Sequence, residues 1–300
     1  MLKVAHSSSY AHALPPGHRF PMEKYSLLPE QLIYEGTLTE DHFFIPELLD
    51  ERWILNTHDS AYFYRLKDLE LTRSEIRATG FPLSQELVER EIQIASGSVQ
   101  AAVFALDHGI GMNIAGGTHH AFSDRGEGFC LLNDLAITAN YLLENNLAKR
   151  ILIVDLDVHQ GNGTAQIFQH RMDVFTFSMH GAKNYPHRKE KSHLDIGLPD
   201  GTGDEVYLNL LEQNLFSIFT TFYPDFILYQ CGVDVLGTDQ LGRLNMSQIG
   251  VKMRDELVLS NAKSREIPIM CCMGGGYSKQ IKVIIDAHAQ VFRLAQSLYG

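Results

Sequence analysis

A chain of 300 residues with 45% apolar content can build one large hydrophobic core, and an α/β fold of this length is often a single domain. The net charge of −11, from 25 Lys plus Arg against 36 Asp plus Glu, argues against a nucleic-acid binder that works by neutralising phosphates. An acidic surface does tolerate a cationic, lysine-bearing substrate.

From the N-terminus, MLKVAHSSSYAHALPP lacks the apolar stretch of a secretion signal, and Leu2–His6 reads as a short first strand. His6–Glu23 follows as a long loop with two adjacent prolines and the segment GHRFPME. His58 and Asp59 fall in a loop or at a helix start, with no partner that the sequence names. A helix is predicted over Pro82–Leu106 and a strand over Met112–Ala115, which runs into GGTHHAF and then GEGFC. The stretch GIGMNIAGG is no dinucleotide loop, because its first glycines precede the strand and no helix opens after it. A helix over Asn133–Asn145 leads to a strand at Ile151–Asp155, which enters DLDVHQGNG. Behind the strand Val174–Ser178 comes a second long loop, His180–Glu205, whose HRKEKSH run reads as a solvated charged stretch. A helix over Gly203–Phe222, a strand at Phe226–Tyr229 and the loop CGVDVLGTDQLG come next. The chain closes with a helix over Ser247–Ala262, a strand at Pro268–Cys272, the loop GGGYSK and a helix over Lys279–Leu298.

Several of these strands are continuous apolar runs without polar alternation, which suits strands buried on both faces of a parallel sheet. Strands alternating with helices predict a doubly wound α/β domain. No stretch approaches the length of a membrane span. Cys130, Cys231, Cys271 and Cys272 lack C-x-x-C spacing, so buried reduced thiols in a soluble cytoplasmic protein are expected. Four polar motifs fall just past the carboxyl ends of strands, where open α/β sheets bind ligands.

Those motifs carry the residues of one hydrolytic metal site. In Asp155-Leu-Asp157-Val-His159, an extended backbone turns three polar side chains the same way. Asp157 and His159 can then bind one divalent metal with Asp155 behind them, and Asp234 adds the further anion that a three-ligand site needs. Asp239, in the same loop, lies further from its strand and takes a structural or substrate-loop role. Of the adjacent His119 and His120, a neutral imidazole can move a proton from attacking water to a leaving amine. The other needs a carboxylate partner, and Asp155 is available. Tyr277, behind three glycines, can donate its hydroxyl to an oxygen that becomes anionic in the transition state.

These motifs, with HRFPM, SDRGEGFC, the NYP segment, GVDVLGTDQLGRL and RDELV, resemble the histone deacetylase superfamily and most closely its class IV branch. The likeness spans roughly Arg19 to Lys279 and implies the arginase/deacetylase fold: one three-layer α/β domain over residues 1–300, its central parallel sheet flanked by helices. It implies Zn2+ held by Asp157, His159 and Asp234, with His120 as general base and then acid. His119 becomes a second, charge-stabilising imidazole oriented by Asp155, and Tyr277 polarises the acyl carbonyl. Gly128 and Phe129 then line one wall of an acyl-lysine tunnel, with Tyr185 near the opposite wall. A structural K+ or Na+ would be matched by Asp155, the Ser178 hydroxyl and the carbonyls of Asp157, His159 and Met179. Asn162 stands where some classes carry an aspartate behind the second histidine. Arginases bind two metals through D-x-H-x-D, whereas this chain reads D-V-H-Q-G, so a mononuclear zinc site is expected.

The function expected is zinc-dependent removal of acyl groups, acetyl or longer fatty acyl, from the Nε of lysine in a protein or peptide. The class IV likeness implies that long chains are accepted, with the apolar residues around Leu14–Phe20 among the channel walls. Two alternatives are a deacylase of small acylated amines such as acylpolyamines, and a catalytically silent module that binds acyl-lysine. The silent module predicts loss of a ligand, the histidine pair or the tyrosine, and none is missing. Neither direct nucleic-acid binding nor a membrane span is expected.

Overall fold

In ILIVD (residues 151–155) every residue is buried, and so it is in FILYQ (226–230), IMCC (269–272) and IGMN (110–113). Period-two geometry splits each run between the two faces of a sheet. Leu152, Val154, Ile227 and Tyr229 enter one hydrophobic cluster, while Ile151, Ile153, Phe226 and Leu228 enter a second. Helices cover both faces, which explains why these strands show no polar alternation.

The computed structural model describes residues 2–300. Its strands are β1 (Lys3–Ala5), β2 (Phe43–Phe44), β3 (Ile110–Asn113), β4 (Ile151–Asp155), β5 (Val174–Gly181), β6 (Leu194–Leu198), β7 (Phe226–Gln230) and β8 (Ile269–Cys272). They form one eight-stranded sheet in the order β2-β1-β3-β8-β7-β4-β5-β6, with every pairing parallel. This is the expected α/β architecture. Among the described residues no helix is long and apolar enough to cross a membrane. The four cysteines are free and buried, as expected.

The predicted helices appear as Gln85–His108, Asp134–Glu144, Asp204–Thr221, Gln248–Ser264 and Ile281–Tyr299. The longest starts at Ser84, whose side chain accepts from the Leu87 amide, and stops at Gly109, whose φ of 80° suits glycine. Differences fall where local signals are weak. The predicted loop His180–Glu205 contains β6, whose LDIGL is half exposed at the sheet edge and carries no apolar run. The helix Lys24–Tyr34 was not expected, since Pro29 lies inside it. The strand predicted at Met112–Ala115 runs Ile110–Asn113; Ile114 and Ala115 beyond it stay buried, and the Ile114 N–H still donates to the Ala5 carbonyl at 3.0 Å. His58 does have partners: its Nδ1 lies 2.9 Å from the Phe122 carbonyl, and its Nε2 accepts from the Asn133 amide at 3.0 Å. It pins the loop after β3 to the start of the following helix.

The helix Lys24–Tyr34 is clamped to Ile281–Tyr299 by a bidentate pair, Arg293 to Glu35, at 2.8 and 2.6 Å. Hydrogen bonding from Arg293 holds the Glu35 carboxyl down at about 2, against an ordinary 4.5. Because the folded value is the lower one, the stabilisation is fully present above pH 4.5 and is lost as pH falls toward 2. Partial exposure screens the pair, so Glu35→Gln should cost about 1 kcal/mol in urea unfolding at pH 7. The gap between variant and parent should narrow below pH 4.5. A variant as stable as its parent at pH 7 would remove the clamp.

Candidate active site

β3, β8, β7 and β4 are consecutive in the sheet, so the loops at their carboxyl ends are neighbours. Those loops carry the histidine pair, Tyr277, Asp234 and the Asp/His run respectively. All four sequence motifs thus meet at one edge.

Asp157, His159 and Asp234 converge, with one donor atom from each lying within 4.8 Å of the others. His159 Nδ1 is 3.1 Å from Asp157 Oδ1 and 3.1 Å from Asp234 Oδ2. The remaining carboxylate capacity is taken by the fold. Gly275 N–H and Gln230 Nε2 donate to Asp157 Oδ2 at 2.8 and 3.3 Å, and Val158 N–H donates to Asp234 Oδ1 at 2.9 Å. Gly275 must lack a side chain, since a Cβ there would come within 2.7 Å of Asp157 Oδ2. Arg254, fully buried beside Asp255, donates to the carbonyls of Leu156, Cys231 and Gly232 at 3.2, 3.3 and 2.6 Å. It therefore ties together the two loops that supply the three donors.

The electrostatics of this cluster favour positive charge at its centre. Burial opposes a proton on His159, yet hydrogen bonds to Asp157 and Asp234 raise its pKa to about 10. Burial and the neighbouring Asp157 charge push the Asp234 carboxyl up to about 7. Two carboxylate oxygens and one imidazole nitrogen around one point form a donor set that zinc accepts. The residues fit the metal.

The two histidines beside the cluster are pushed in opposite directions. His119 Nδ1 lies 2.7 Å from Asp155 Oδ2, and its Nε2 is 4.0 Å from Asp157 Oδ1. Burial works against charging it, but the Asp155 carboxylate prevails and its pKa is raised. His120 Nδ1 lies 2.6 Å from Asn162 Oδ1, a neutral partner. Burial and the charges of His119 and His159 hold the His120 pKa well below its ordinary value. With Nδ1–H donating to Asn162, the Nε2 lone pair is free to accept a proton. Two imidazoles with separated proton affinities can divide acid–base and electrostatic tasks.

Tyr277 leads back to Asp239, which accepts its backbone N–H at 2.6 Å and those of Leu241 and Gly242 at 2.8 and 2.9 Å. Burial, then the charges of Asp234 and Asp157, keep the Tyr277 phenol well above its usual pKa, so it stays a donor. Beneath it lies Lys24, fully buried, donating to the Gly274 carbonyl at 3.0 Å with Nζ 5.9 Å from the Tyr277 ring centre. Burial lowers the Lys24 pKa to about 8, although Asp234 and Asp157 favour its charge.

Phe129 and Tyr185 face the cluster from the mouth above it. The Tyr185 ring centre is 5.0 Å from that of His120 and 6.5 Å from that of His159, and its hydroxyl donates to Glu127 Oε2 at 2.7 Å. Phe129 packs on Phe20, Phe81 and Tyr277 with ring centres 5.1–6.2 Å apart in this group. A Cβ on Gly128 would meet the His120 ring at 2.7 Å, so the chain passes tightly over it. Below the mouth a narrow cavity of about 40 Å³ runs past His119, His120, Asp157, His159 and Tyr277 toward Tyr25 and Arg90.

The zinc, acid–base and tyrosine candidates, with Gly128, Phe129 and Tyr185, thus gather around one mouth, while Leu14 lines a separate cavity. Ser178 is set apart from that group. Its register places it beside Asp155 across the β4–β5 ladder, and its hydroxyl lies 2.9 Å from His180 Nδ1. Missed by sequence reasoning were Lys24, Glu127, Gln230 and Arg254. Arg254 lies inside a quoted motif (RDELV) and Lys24 directly follows another (GHRFPME), but no local pattern tells a buried cation from a solvated one.

The sequence profile of the histone deacetylase domain matches residues 18–292. An uncharacterized protein of Picosynechococcus is 42% identical over 99% of this chain and 99% of its own length. Histone deacetylase 2 of Arabidopsis thaliana is 28% identical, covering 95% of this chain and 77% of the plant protein. Among solved structures, an HDAC homolog from Aquifex aeolicus superposes with a TM-score of 0.83 at 23% identity, covering 99% of this chain and 84% of that one. That likeness speaks to the fold.

Proposed function

This chain belongs to the histone deacetylase family and is a deacetylase-type hydrolase, and we propose that it cleaves the amide of Nε-acyl-lysine with zinc at Asp157, His159 and Asp234. The observation that carries this reading is the convergence of those three donors with one imidazole held by a carboxylate, one held by an amide, and a phenol donor at a single mouth. Residues 1–300 act as one catalytic domain of the class IV branch, a placement supported by HRFPM and GVDVLGTDQLGRL. The four free thiols suit the cytoplasm. A structural K+ or Na+ near Asp155 and Ser178, with the carbonyls of Asp157, His159 and Met179, is part of the same proposal.

Bound zinc supplies Lewis acidity toward the acyl oxygen and acidifies water at neutral pH. His120 Nε2 takes a proton as a water oxygen bonds to the acyl carbon, with Asn162 holding the ring in the required tautomer. His119, hydrogen-bonded to Asp155, and the Tyr277 hydroxyl face the oxygen on which negative charge collects. When the C–N bond breaks, His120 returns its proton to the lysine nitrogen, giving free amine and carboxylic acid. Phe129 and Tyr185 hold the lysine methylenes between them and exclude water.

The cavity beyond the donors is small, and its roughly 40 Å³ accommodates about three water-sized groups. This supports an acetyl-sized acyl group over a long chain. The test compares kcat/KM for acetyl-, octanoyl- and myristoyl-lysine in one peptide, with and without a chelator. Turnover should fall from acetyl to myristoyl and vanish on chelation. A rise toward myristoyl would instead establish a long-chain deacylase, and silence with every acyl group would remove the enzymatic reading.

A further inference from the structure

The mouth of this site carries a charge opposite to that of the protein. Net charge is −11, yet the outer cavity, about 890 Å³, has Arg19, Arg77, Lys183 and Arg243 in its wall and no carboxylate among the described residues that line it. Its floor is His120, His159 and Tyr277, so a substrate must pass these cations to reach the donors. Arg19 and Arg77 are exposed, and neither has an acidic side chain within salt-bridge distance among the described residues. Lys183 and Arg243 share a single carboxylate, Asp200, at 3.8 and 3.3 Å. Glu127, behind Tyr185, is already engaged by Arg125 at 3.0 Å and by the Tyr185 hydroxyl. Counting the four cations against Asp200 leaves a net charge of +3 at the mouth. The cations come from four separate segments: the loop before the helix at Lys24, the helix Arg73–Thr79, and the loops after β5 and β7.

We propose that this mouth selects acyl-lysines flanked by acidic residues, and that its substrate is an acidic peptide segment. The inference rests on the deacylase reading and names its substrate class. An acyl-lysine is itself neutral, so discrimination falls to the residues beside it, which lie over the rim while the side chain is in the tunnel. Asp or Glu there meets unpaired guanidinium groups, whereas Lys or Arg meets like charge. A polyamine chain would cross the same four cations with positive charge of its own, which disfavours acylpolyamines. Because the rim is solvent-exposed, the effect is electrostatic and salt-sensitive, with a screening length of about 8 Å at physiological ionic strength.

The experiment uses the zinc-loaded full chain and three acetyl-lysine peptides identical except for flanking Asp/Glu, Gly/Ala or Lys/Arg, together with an acetylated diamine. At low salt the acidic peptide should exceed the basic one in kcat/KM by about tenfold, shrinking to about twofold in 0.5 M salt. Arg19→Glu with Arg77→Glu should reverse the order of the acidic and basic peptides. Arg77→Glu alone should move it part of the way if the double variant folds poorly. Equal or better turnover of the basic peptide or the diamine, or an acidic preference that survives charge reversal, would overturn the proposal. Fluorescence anisotropy of the same peptides on the His120→Ala protein reads selection without chemistry. If no peptide is hydrolysed, the deacylase reading fails while the binding order still decides this one.

Discussion

Asp157→Ala and Asp234→Ala should each strip the zinc, taking the protein from about one metal per chain toward none and abolishing turnover with it. Each removes one of three donors, and two remaining protein ligands do not make a site of useful affinity. The effect reaches beyond the metal, because each carboxylate also accepts hydrogen bonds from the loops around it. Loss of Asp157 leaves the Gly275 and His159 amides and the Gln230 amide group without their acceptor in a buried setting, at about 1–3 kcal/mol for each buried group left unpaired. Asp157→Asn lessens the second effect: it keeps the shape and one of the two acceptor oxygens, so it should unfold less readily than the alanine variant while binding zinc only weakly. Asp155→Asn is the counter-case. Asp155 faces His119 and the Asp157 amide, so this variant should retain zinc while losing the carboxylate that raises the proton affinity of His119. The measurement is zinc content by elemental analysis beside the melting curve. Full zinc occupancy in both alanine variants would reject the ligand set.

Tyr277→Phe should keep zinc, fold and substrate affinity while kcat falls by on the order of a hundredfold or more, the usual cost of an oxyanion donor. The position allows a clean reading. The Tyr277 hydroxyl makes no hydrogen bond to another side chain or backbone group among the described residues, whereas its backbone N–H is held by Asp239. Removing the oxygen therefore leaves no buried partner unpaired, and the ring still packs against Phe20 and Phe129. A loss confined to kcat with KM unchanged marks an interaction made in the transition state. Near-parent turnover would take the phenol out of the chemistry. Asp239→Ala should show how much of the effect is placement, since it frees the Tyr277, Leu241 and Gly242 amides together.

Much of the site was legible because strand-end chemistry is local. An apolar run that ends in a carboxylate or imidazole shows in sequence that a buried strand leads to a polar edge, and β4 with Asp155, Asp157 and His159 does so within nine residues. Residues that reach the site from elsewhere were not legible. Lys24 is 250 positions from the Gly274 carbonyl it holds, and Arg254 is 98 from that of Leu156. Asp239 looked like a turn residue, which it is, and also fixes Tyr277 across 38 positions. β6 escaped because an edge strand half exposed to water needs no apolar run.

By itself, the sequence determined the alternation of strands and helices, the parallel character of the sheet, and the residue types of a metal hydrolase at the strand ends. Those features follow from backbone periodicity and from the burial of short apolar runs, both of which are written within a dozen residues. Tertiary structure alone decided the strand order that makes β3, β8, β7 and β4 neighbours, and so whether four motifs would share one edge. It alone separated the proton affinities of His119 and His120, because a carboxylate lies behind one and an amide behind the other. It also gathered Arg19, Arg77, Lys183 and Arg243 at the mouth of a protein whose overall charge is negative. Net charge sums over the chain, whereas a substrate meets the few charges that folding places within a screening length of its path.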